Sequence, residues 1–194
     1  MSVLAQSLVT PSEAPLAGLP AAIREVPNAA CIVSCACDGD VVAFAATSVA
    51  SLSPDPPTLM IGLDRASLYR PILESAVLFG VNVLSSDQQE AAVAVAGGGL
   101  AIAQRQNDLR WLASDGGAPL LVGALVAFDC TIDEIIERFG RMILFGRVQA
   151  VSHGRETGAL VRWRGAYEQL GWSLEQAVNA VGVAQRPRDD RIWP

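Results

Sequence analysis

The sequence predicts a mainly β protein with helical inserts, folded as a closed or split antiparallel β-barrel. Six or seven runs of β-forming residues follow one another with short turns between them, without the regular strand–helix alternation of a doubly wound sheet. The length of 194 residues is that of a single domain, and a hydrophobic content of 51% supplies enough apolar material for one core.

An arm, a helix and a hairpin are expected at the N-terminus. Residues 1–15 are expected to form a flexible arm, and Leu16–Val26 predicts a short helix that ends before the next proline. Ala30–Cys37 and Val41–Thr47 are rich in β-forming residues. Asp38-Gly39-Asp40 between them is a good hairpin signal, so the two runs are expected to pair.

The central part of the chain predicts two strands and two helices. Thr58–Leu63 and Leu78–Leu84 are apolar runs of strand length, with a helix expected between them over Leu68–Ser75. Ser86–Ala96 opens with a Ser-x-x-Gln spacing and is rich in alanine, so it predicts a helix that Gly97-Gly98-Gly99 ends. Because these glycines follow a helix rather than a strand, they are no dinucleotide-binding fingerprint.

The longest β-type runs lie in the last third of the chain. Gly123–Ile136 and Met142–Ser152 predict two long strands, and Ala159–Trp163 predicts a short one. Trp172–Val181 has apolar residues at helical spacing, so residues 172–194 are expected to form a C-terminal helix and tail.

Charge and hydropathy exclude several classes of protein. The net charge of −6 argues against a nucleic-acid partner, which needs a basic surface. No uncharged apolar run reaches 18 residues and the N-terminus lacks a signal-peptide pattern, so we expect a soluble, cytoplasmic protein without membrane contact. All 14 basic residues are arginine, so a bound phosphate would need arginine, hydroxyl groups or backbone N–H groups.

No metal site is expected. The four cysteines lie inside strand-like runs without a C-x-x-C or zinc spacing, which indicates buried thiols in a reduced compartment. His153 is the single histidine and follows a long strand in a polar turn, where a surface role is expected.

One window, residues 45–67, concentrates polar groups that could hold a ligand. Small hydroxyl donors follow a predicted strand at Thr47, Ser48, Ser51 and Ser53, and two adjacent prolines then stiffen the turn before the next strand. From the residues alone, the window is either a polar strand end with a rigid turn or a site for a phosphate-bearing planar cofactor.

Four motifs in order resemble the flavin reductase-like, FMN-binding split-barrel family. Ser51–Pro57 fits S-x-S-x-x-P-P, Phe79–Leu84 resembles F-x-V-N-x-L, and Gly117–Leu125 with Phe128–Cys130 resembles G-x-P-x-L-x-G-A-L followed by F-x-C. The resemblance covers roughly residues 20–170. It implies a split antiparallel barrel of the FMN-binding type, which we place at residues 16–171.

The resemblance also implies an activity. Members similar to this chain are the reductase components of two-component flavin monooxygenases, so it implies a homodimer with FMN, or FAD, as cofactor and NADH or NADPH as co-substrate. Reduced flavin would pass to a partner monooxygenase. Two alternatives stay open: a non-enzymatic flavin-binding or electron-carrying protein on the same fold, and a barrel that serves as an interaction module without flavin.

Several residues are candidates for cofactor binding. Thr47, Ser48 and Ser51 suit the polar edge of the ring, with Ser53 as a further hydroxyl, and Asn82 is either another polar contact or a core amide. In the turn after the second core strand, the resemblance places Arg65 and Ser67 at the phosphate, where both can make charge-assisted hydrogen bonds. Otherwise Ser67 caps the next helix and Arg65 is solvated.

The chain also departs from the family pattern. Ala43 and Ala45 stand where a glycine and a threonine are usual, which removes one polar contact. Arg141 stands where the family's G-D-H-T segment has its histidine, so we expect Arg141 to act at the nicotinamide or the reduced flavin as a fixed positive charge. The alternative is an arginine at a strand end that points to solvent.

Overall fold

A computed structural model describes residues 18–37, 39–64, 67, 69–96, 109–154 and 157–171. These residues form three helices, α1 (Leu19–Arg24), α2 (Arg70–Ser75) and α3 (Gln89–Ala96). Their strands are β1 (Asn28–Ala29), β2 (Cys31–Cys37), β3 (Asp40–Ala46), β4 (Val49–Pro54), β5 (Pro57–Asp64), β6 (Leu78–Val83), β7 (Trp111–Ala113), β8 (Pro119–Leu121), β9 (Val126–Arg138), β10 (Arg141–His153), β11 (Ala159–Trp163) and β12 (Ala166–Leu170).

Seven strands form one antiparallel sheet, in the order β3-β2-β6-β9-β10-β5-β4. Its two edges, β3 and β4, are joined by only Thr47 and Ser48. Because such a link spans at most about 11 Å, the edges must meet and the sheet must curl into a barrel. The predicted mainly β class and antiparallel barrel are confirmed.

The barrel seam is held by a close backbone contact. The Gly62 N–H donates to the Ser48 carbonyl at 2.7 Å. A Cβ on Gly62 would lie 3.1 Å from the Ser48 Cβ, so glycine permits this approach of β5 to the link. The sequence thereby fixes Thr47 and Ser48 at one definite place, where the barrel closes.

Two buried clusters flank that place. The barrel interior is filled by large apolar side chains such as Ile61, Phe79 and Leu144. A second cluster, including Leu84, Val95 and Leu160, lies between the barrel, α3 and the small sheet β1-β11-β12. The described helices include none long and apolar enough to cross a membrane.

The predicted elements are present, with shifted ends. Helix α2 begins two residues later than expected because Pro71 occupies its first turn, where a missing N–H is harmless. The two long strands lie at Val126–Arg138 and Arg141–His153. Strands β4, β7, β8 and β12 were not predicted, since they are short or, in β4, rich in serine. The expected arm at 1–15 and helix at 172–194 lie outside the described residues.

Candidate functional site

A cleft of about 630 Å³ opens at the barrel seam, within the usual size range of small-molecule sites. Its apolar surface comes from β3, β5 and the end of α3, and comprises Phe44, Ala45, Ala46, Leu63, Val95 and Ala96. Its polar groups come from the seam, the turn after β5, β10 and the small sheet, and comprise Thr47, Ser48, Asp64, Ser67, Arg141 and Arg162. The barrel and the second layer thus build the cleft together.

Three of the predicted hydroxyls face this cleft. Thr47 and Ser48 form the seam link, and Ser67 reaches the same wall through the turn after β5. That turn is fixed by hydrogen bonds from the Ser67 N–H to the Asp64 carbonyl at 3.0 Å and from the Tyr69 N–H to the Ser67 hydroxyl at 3.3 Å. The Ser67 hydroxyl thus bonds the turn before α2 and lines the cleft, whereas Tyr69 holds the N-cap position of α2, so the alternative that Ser67 caps this helix is not observed.

Arg141 lines the cleft beside the start of the turn. It begins β10, directly across from Asp64 in the β5–β10 register. Its Nη1 lies 3.1 Å from the Asp64 Oδ2, in an ion pair that is largely open to solvent. Arg141 thus lines the candidate cleft, with its charge beside a carboxylate.

Arg162 and Tyr167 enter from the second layer and were missed by the sequence reasoning. They are cross-strand partners in the β11–β12 hairpin, and the Arg162 guanidinium lies 4.7 Å from the centre of the Tyr167 ring. The signal was available, because Arg164-Gly165 separates two short β-type runs and predicts a hairpin that pairs these positions.

Tyr69 and Phe44 supply an aromatic wall, also unforeseen. Their rings stack with centroids 4.5 Å apart and an interplanar angle of 22°. The Tyr69 hydroxyl is buried without a hydrogen-bond partner among the described residues, and burial raises its pKa. A buried hydroxyl left unpaired costs about 1–3 kcal/mol, so a polar atom brought into the cleft can stabilise this wall.

Ser51 and Ser53, two further predicted binding residues, do not line the cleft. Ser51 is exposed on the edge strand β4. Ser53 is engaged in its own turn, where its hydroxyl donates to the Asp55 carbonyl at 2.9 Å and accepts from the Asp55 N–H. Arg65 lies outside the described residues. Of the two unusual alanines, Ala45 lines the cleft and Ala43 is buried in the second cluster.

Asn82 is placed in the core, the alternative that the sequence left open. Its side-chain nitrogen donates to the Ile32 carbonyl and to the Ser34 hydroxyl, both at 3.0 Å, and its oxygen accepts from the Leu121 N–H at 2.8 Å. The residue is fully buried. Its amide therefore joins β2, β6 and β8, and nothing of it reaches the cleft.

The remaining reactive groups stand apart from the cleft. His153 is exposed at the end of β10, as expected. All four cysteines are without disulfides, and burial raises the pKa of Cys31 and Cys130 to about 12 and that of Cys35 to about 11. In the described part of the chain, no three His, Cys, Asp or Glu side chains are grouped to hold a metal ion.

The chemistry of the cleft suits binding better than acid–base catalysis. Small and aromatic side chains form a floor on which a planar ring can lie, and hydroxyls and guanidinium groups at its rim can bind a polar edge or a phosphate. The carboxylate of Asp64 already faces Arg141, and arginine keeps its proton at neutral pH. The residues present fit a flavin nucleotide, whose ring carries its own redox chemistry.

Comparisons with known proteins agree with this geometry. The family model described as "Flavin reductase like domain" matches residues 23–171. The chain is 32% identical over 130 residues to the flavin-dependent monooxygenase reductase subunit HsaB of Rhodococcus jostii, covering 67% of this chain and 65% of that protein. It is 34% identical over 130 residues to the FMN reductase (NADH) RutF of Stutzerimonas stutzeri, covering 67% and 74%.

A solved structure supports the fold. The NADH:FAD oxidoreductase SgcE6 of Streptomyces globisporus, in complex with NAD and FAD fragments, superposes with a TM-score of 0.72. The match covers 79% of this chain and 91% of that chain, at 21% sequence identity. Identity at this level shows a common fold.

Proposed function

Because the chain belongs to the flavin reductase-like family, we propose that it is a flavin reductase that uses NADH to reduce FMN. The family, the fold and the flavin-reductase class that the sequence predicts are confirmed. The choice of FMN and NADH follows the name of the RutF relatives.

The observation that carries the proposal is the composition of the cleft. Hydroxyls of Thr47, Ser48 and Ser67 surround an apolar floor at the only link between the two edges of the barrel sheet, and the guanidinium groups of Arg141 and Arg162 flank it. A flavin held by these residues would supply the hydride-transfer chemistry with NADH. The chain's own residues position the two ring systems and keep the charge of the cleft positive.

The proposal assigns a role to each group of residues that lines the cleft. The hydroxyls of Thr47 and Ser48 donate to the polar edge of the ring, the stacked pair of Phe44 and Tyr69 supports its apolar side, and Ser67 donates to the side chain of the cofactor. Arg141 stabilises negative charge on the reduced ring or on the coenzyme without titrating near neutral pH.

We also propose a homodimer that passes reduced flavin to a partner monooxygenase in the cytoplasm. Helix α1 buries none of its side chains. Its apolar residues Leu19 and Ile23 lie one turn apart, so they share one face of the helix, and they are 48% and 57% exposed. A second copy could cover this apolar stripe. Two aromatic side chains near the C-terminal end are engaged within the chain, since the Trp163 indole N–H donates to the Glu25 carbonyl and Tyr167 lines the cleft.

Two measurements on the purified protein test the proposal. Quenching of flavin fluorescence should show saturable FMN binding, and NADH absorbance should fall only when FMN is present. FMN binding without NADH oxidation would support an electron carrier instead, and absence of FMN binding would support an interaction module. Light scattering at micromolar concentration should return the mass of a dimer, and a stable monomer would contradict the proposed assembly.

A further inference from the structure

We propose that Arg162 is the residue that binds a phosphate group in the cleft, and so makes the site prefer phosphorylated ligands. The proposal rests on the function proposed above and adds the chemical class that the site selects. The phosphate could belong to FMN or to the nicotinamide coenzyme. Both are phosphate esters, and the experiment below separates them.

The position of Arg162 follows from the register of the small sheet. Strand β11 pairs with β12 so that Arg162 stands opposite Tyr167, and Leu160, two residues earlier on the same face, is buried in the second cluster. Arg162 is the next residue on that face beyond the buried region, and it is only partly exposed. Its side chain therefore reaches the cleft from the layer opposite the seam hydroxyls.

Arg162 differs from Arg141 in its partners. Arg141 has a carboxylate 3.1 Å away, whereas none of the ion pairs among the described residues includes Arg162. Its one described contact is the ring of Tyr167. A guanidinium stacked on an aromatic ring keeps its in-plane N–H donors available, and these match two phosphate oxygens at once.

The local charge points the same way. Among the described residues, the charged side chains lining the cleft are one carboxylate, that of Asp64, and two guanidinium groups, those of Arg141 and Arg162, so these side chains together are positive although the chain carries a net charge of −6. The Arg141–Asp64 pair is close to neutral as a unit. The uncompensated charge is therefore that of Arg162, and it favours a dianionic ligand over a neutral one of the same shape.

The experiment compares Arg162→Met with a matched control, Arg164→Met, on the same hairpin. Methionine retains an apolar stem over Tyr167 and removes the charge. The control removes an equal charge from Arg164, which lies outside the cleft, bonds Glu25 at 2.6 Å and stacks on Trp163. The measurements are Kd for FMN and for riboflavin by fluorescence, and KM for NADH and for a synthetic dihydronicotinamide without phosphates, with the melting temperature as a check on folding.

In the parent, FMN should bind at least tenfold more tightly than riboflavin. Arg162→Met should reduce that ratio about tenfold with riboflavin binding unchanged, Arg162→Lys should restore part of it, and Arg164→Met should leave it as it is. If instead only KM for NADH rises, with that of the phosphate-free donor constant, the phosphate bound is that of the coenzyme. If neither ratio changes in a folded Arg162→Met protein, the proposal is overturned. A parent that binds neither flavin contradicts the proposed function itself.

Discussion

Arg141 and Asp64 face each other across strands β10 and β5, with the Arg141 Nη1 3.1 Å from the Asp64 Oδ2. Their side chains are 55% and 64% exposed, so solvent screens the pair and its contribution to stability is at most about 1 kcal/mol. The pair matters more for the charge of the cleft, because it places a cation and an anion side by side where the family's histidine is expected.

Replacing Arg141 with alanine should impair coenzyme use without unfolding the protein. The change removes one of the two guanidinium charges that the described residues bring to the cleft, so KM for NADH should rise about fivefold, or about 1 kcal/mol. The melting temperature should hardly move. Adding Asp64→Asn should recover at least half of the loss, and an unchanged KM in Arg141→Ala would show that this arginine only faces solvent.

Arg141→His should restore turnover and introduce a dependence on pH. An isolated histidine titrates near pH 6.5, and a neighbouring carboxylate favours the charged imidazolium and raises its pKa. The positive charge is present below that pKa and lost above it. KM for NADH should therefore be low at acid pH and rise with pH through about 6.5–7.5, whereas the parent should show no such step.

The four serines among the five predicted hydroxyl residues divide into two testable pairs. Ser48 and Ser67 line the cleft, whereas Ser51 and Ser53 do not. The double change Ser48→Ala and Ser67→Ala should weaken FMN binding about 5- to 150-fold, since each lost hydrogen bond to the cofactor costs about 0.5–1.5 kcal/mol. Ser51→Ala with Ser53→Ala is the matched control in fluorescence titrations, and a larger effect from this second pair would place the site elsewhere.

Local patterns predicted the parts of the fold that depend on sequence neighbours. The two long strands, the first hairpin and α3 carry strong apolar or turn signals, and they were found. Strand β4 was missed because its two serines and its terminal proline weaken the strand signal, and it exists by pairing with β5 along the barrel edge. Tertiary pairing, rather than the segment's own preference, decides such strands.

The residues of the candidate site likewise include some that sequence neighbours predict and some that only tertiary pairing places there. Thr47 and Ser48 were predictable because they follow a strand end, and Arg141 because of a motif position. Arg162 reaches the cleft only through the pairing of β11 with β12 and of β11 with β1, far away in sequence. Conversely, Asn82 resembles a binding residue in sequence, yet its three hydrogen bonds are all to protein groups. Sequence spacing does not show which of these environments a polar side chain enters.

Asn82 should be required for stability and dispensable for flavin contact. Asn82→Ala removes both donors and the acceptor from a fully buried network that extends through the Ser34 hydroxyl to the Pro119 carbonyl at 2.5 Å. The free energy of unfolding should fall by about 2–4 kcal/mol in urea titrations. Kd for FMN, corrected for the folded fraction, should stay within twofold of the parent. A larger change would indicate that Asn82 takes part in flavin binding.

The buried thiols should resist modification until the protein unfolds. With a pKa of about 12, Cys31 and Cys130 carry a thiolate in about one molecule in 10⁴ at pH 8. Half-buried Cys37 should react first with a thiol reagent, and all four should react in urea, as mass spectrometry can follow. Since Cys31, Cys35 and Cys130 ionise near pH 8.5 when unfolded but have raised pKa values when folded, stability should decline as the pH rises from there toward 12.

Phe139 should be a site where a smaller residue stabilises the fold. It occupies the β9–β10 turn with φ of 53°, in the left-handed region, and its side chain is 100% exposed. Phe139→Gly therefore removes backbone strain of about 1–2 kcal/mol without losing burial, against a smaller entropic cost of glycine in the unfolded chain. The free energy of unfolding should rise by about 0.5–1 kcal/mol in denaturant titrations.

Two further variants serve as controls for this prediction. Phe139→Asn, which also tolerates this conformation, should be at least as stable as the parent, and Phe139→Val should be less stable than the parent. A loss of stability in the glycine variant would mean that the aromatic ring is held by a contact made outside the single chain, and repeating the titration over a range of protein concentrations would reveal that contact.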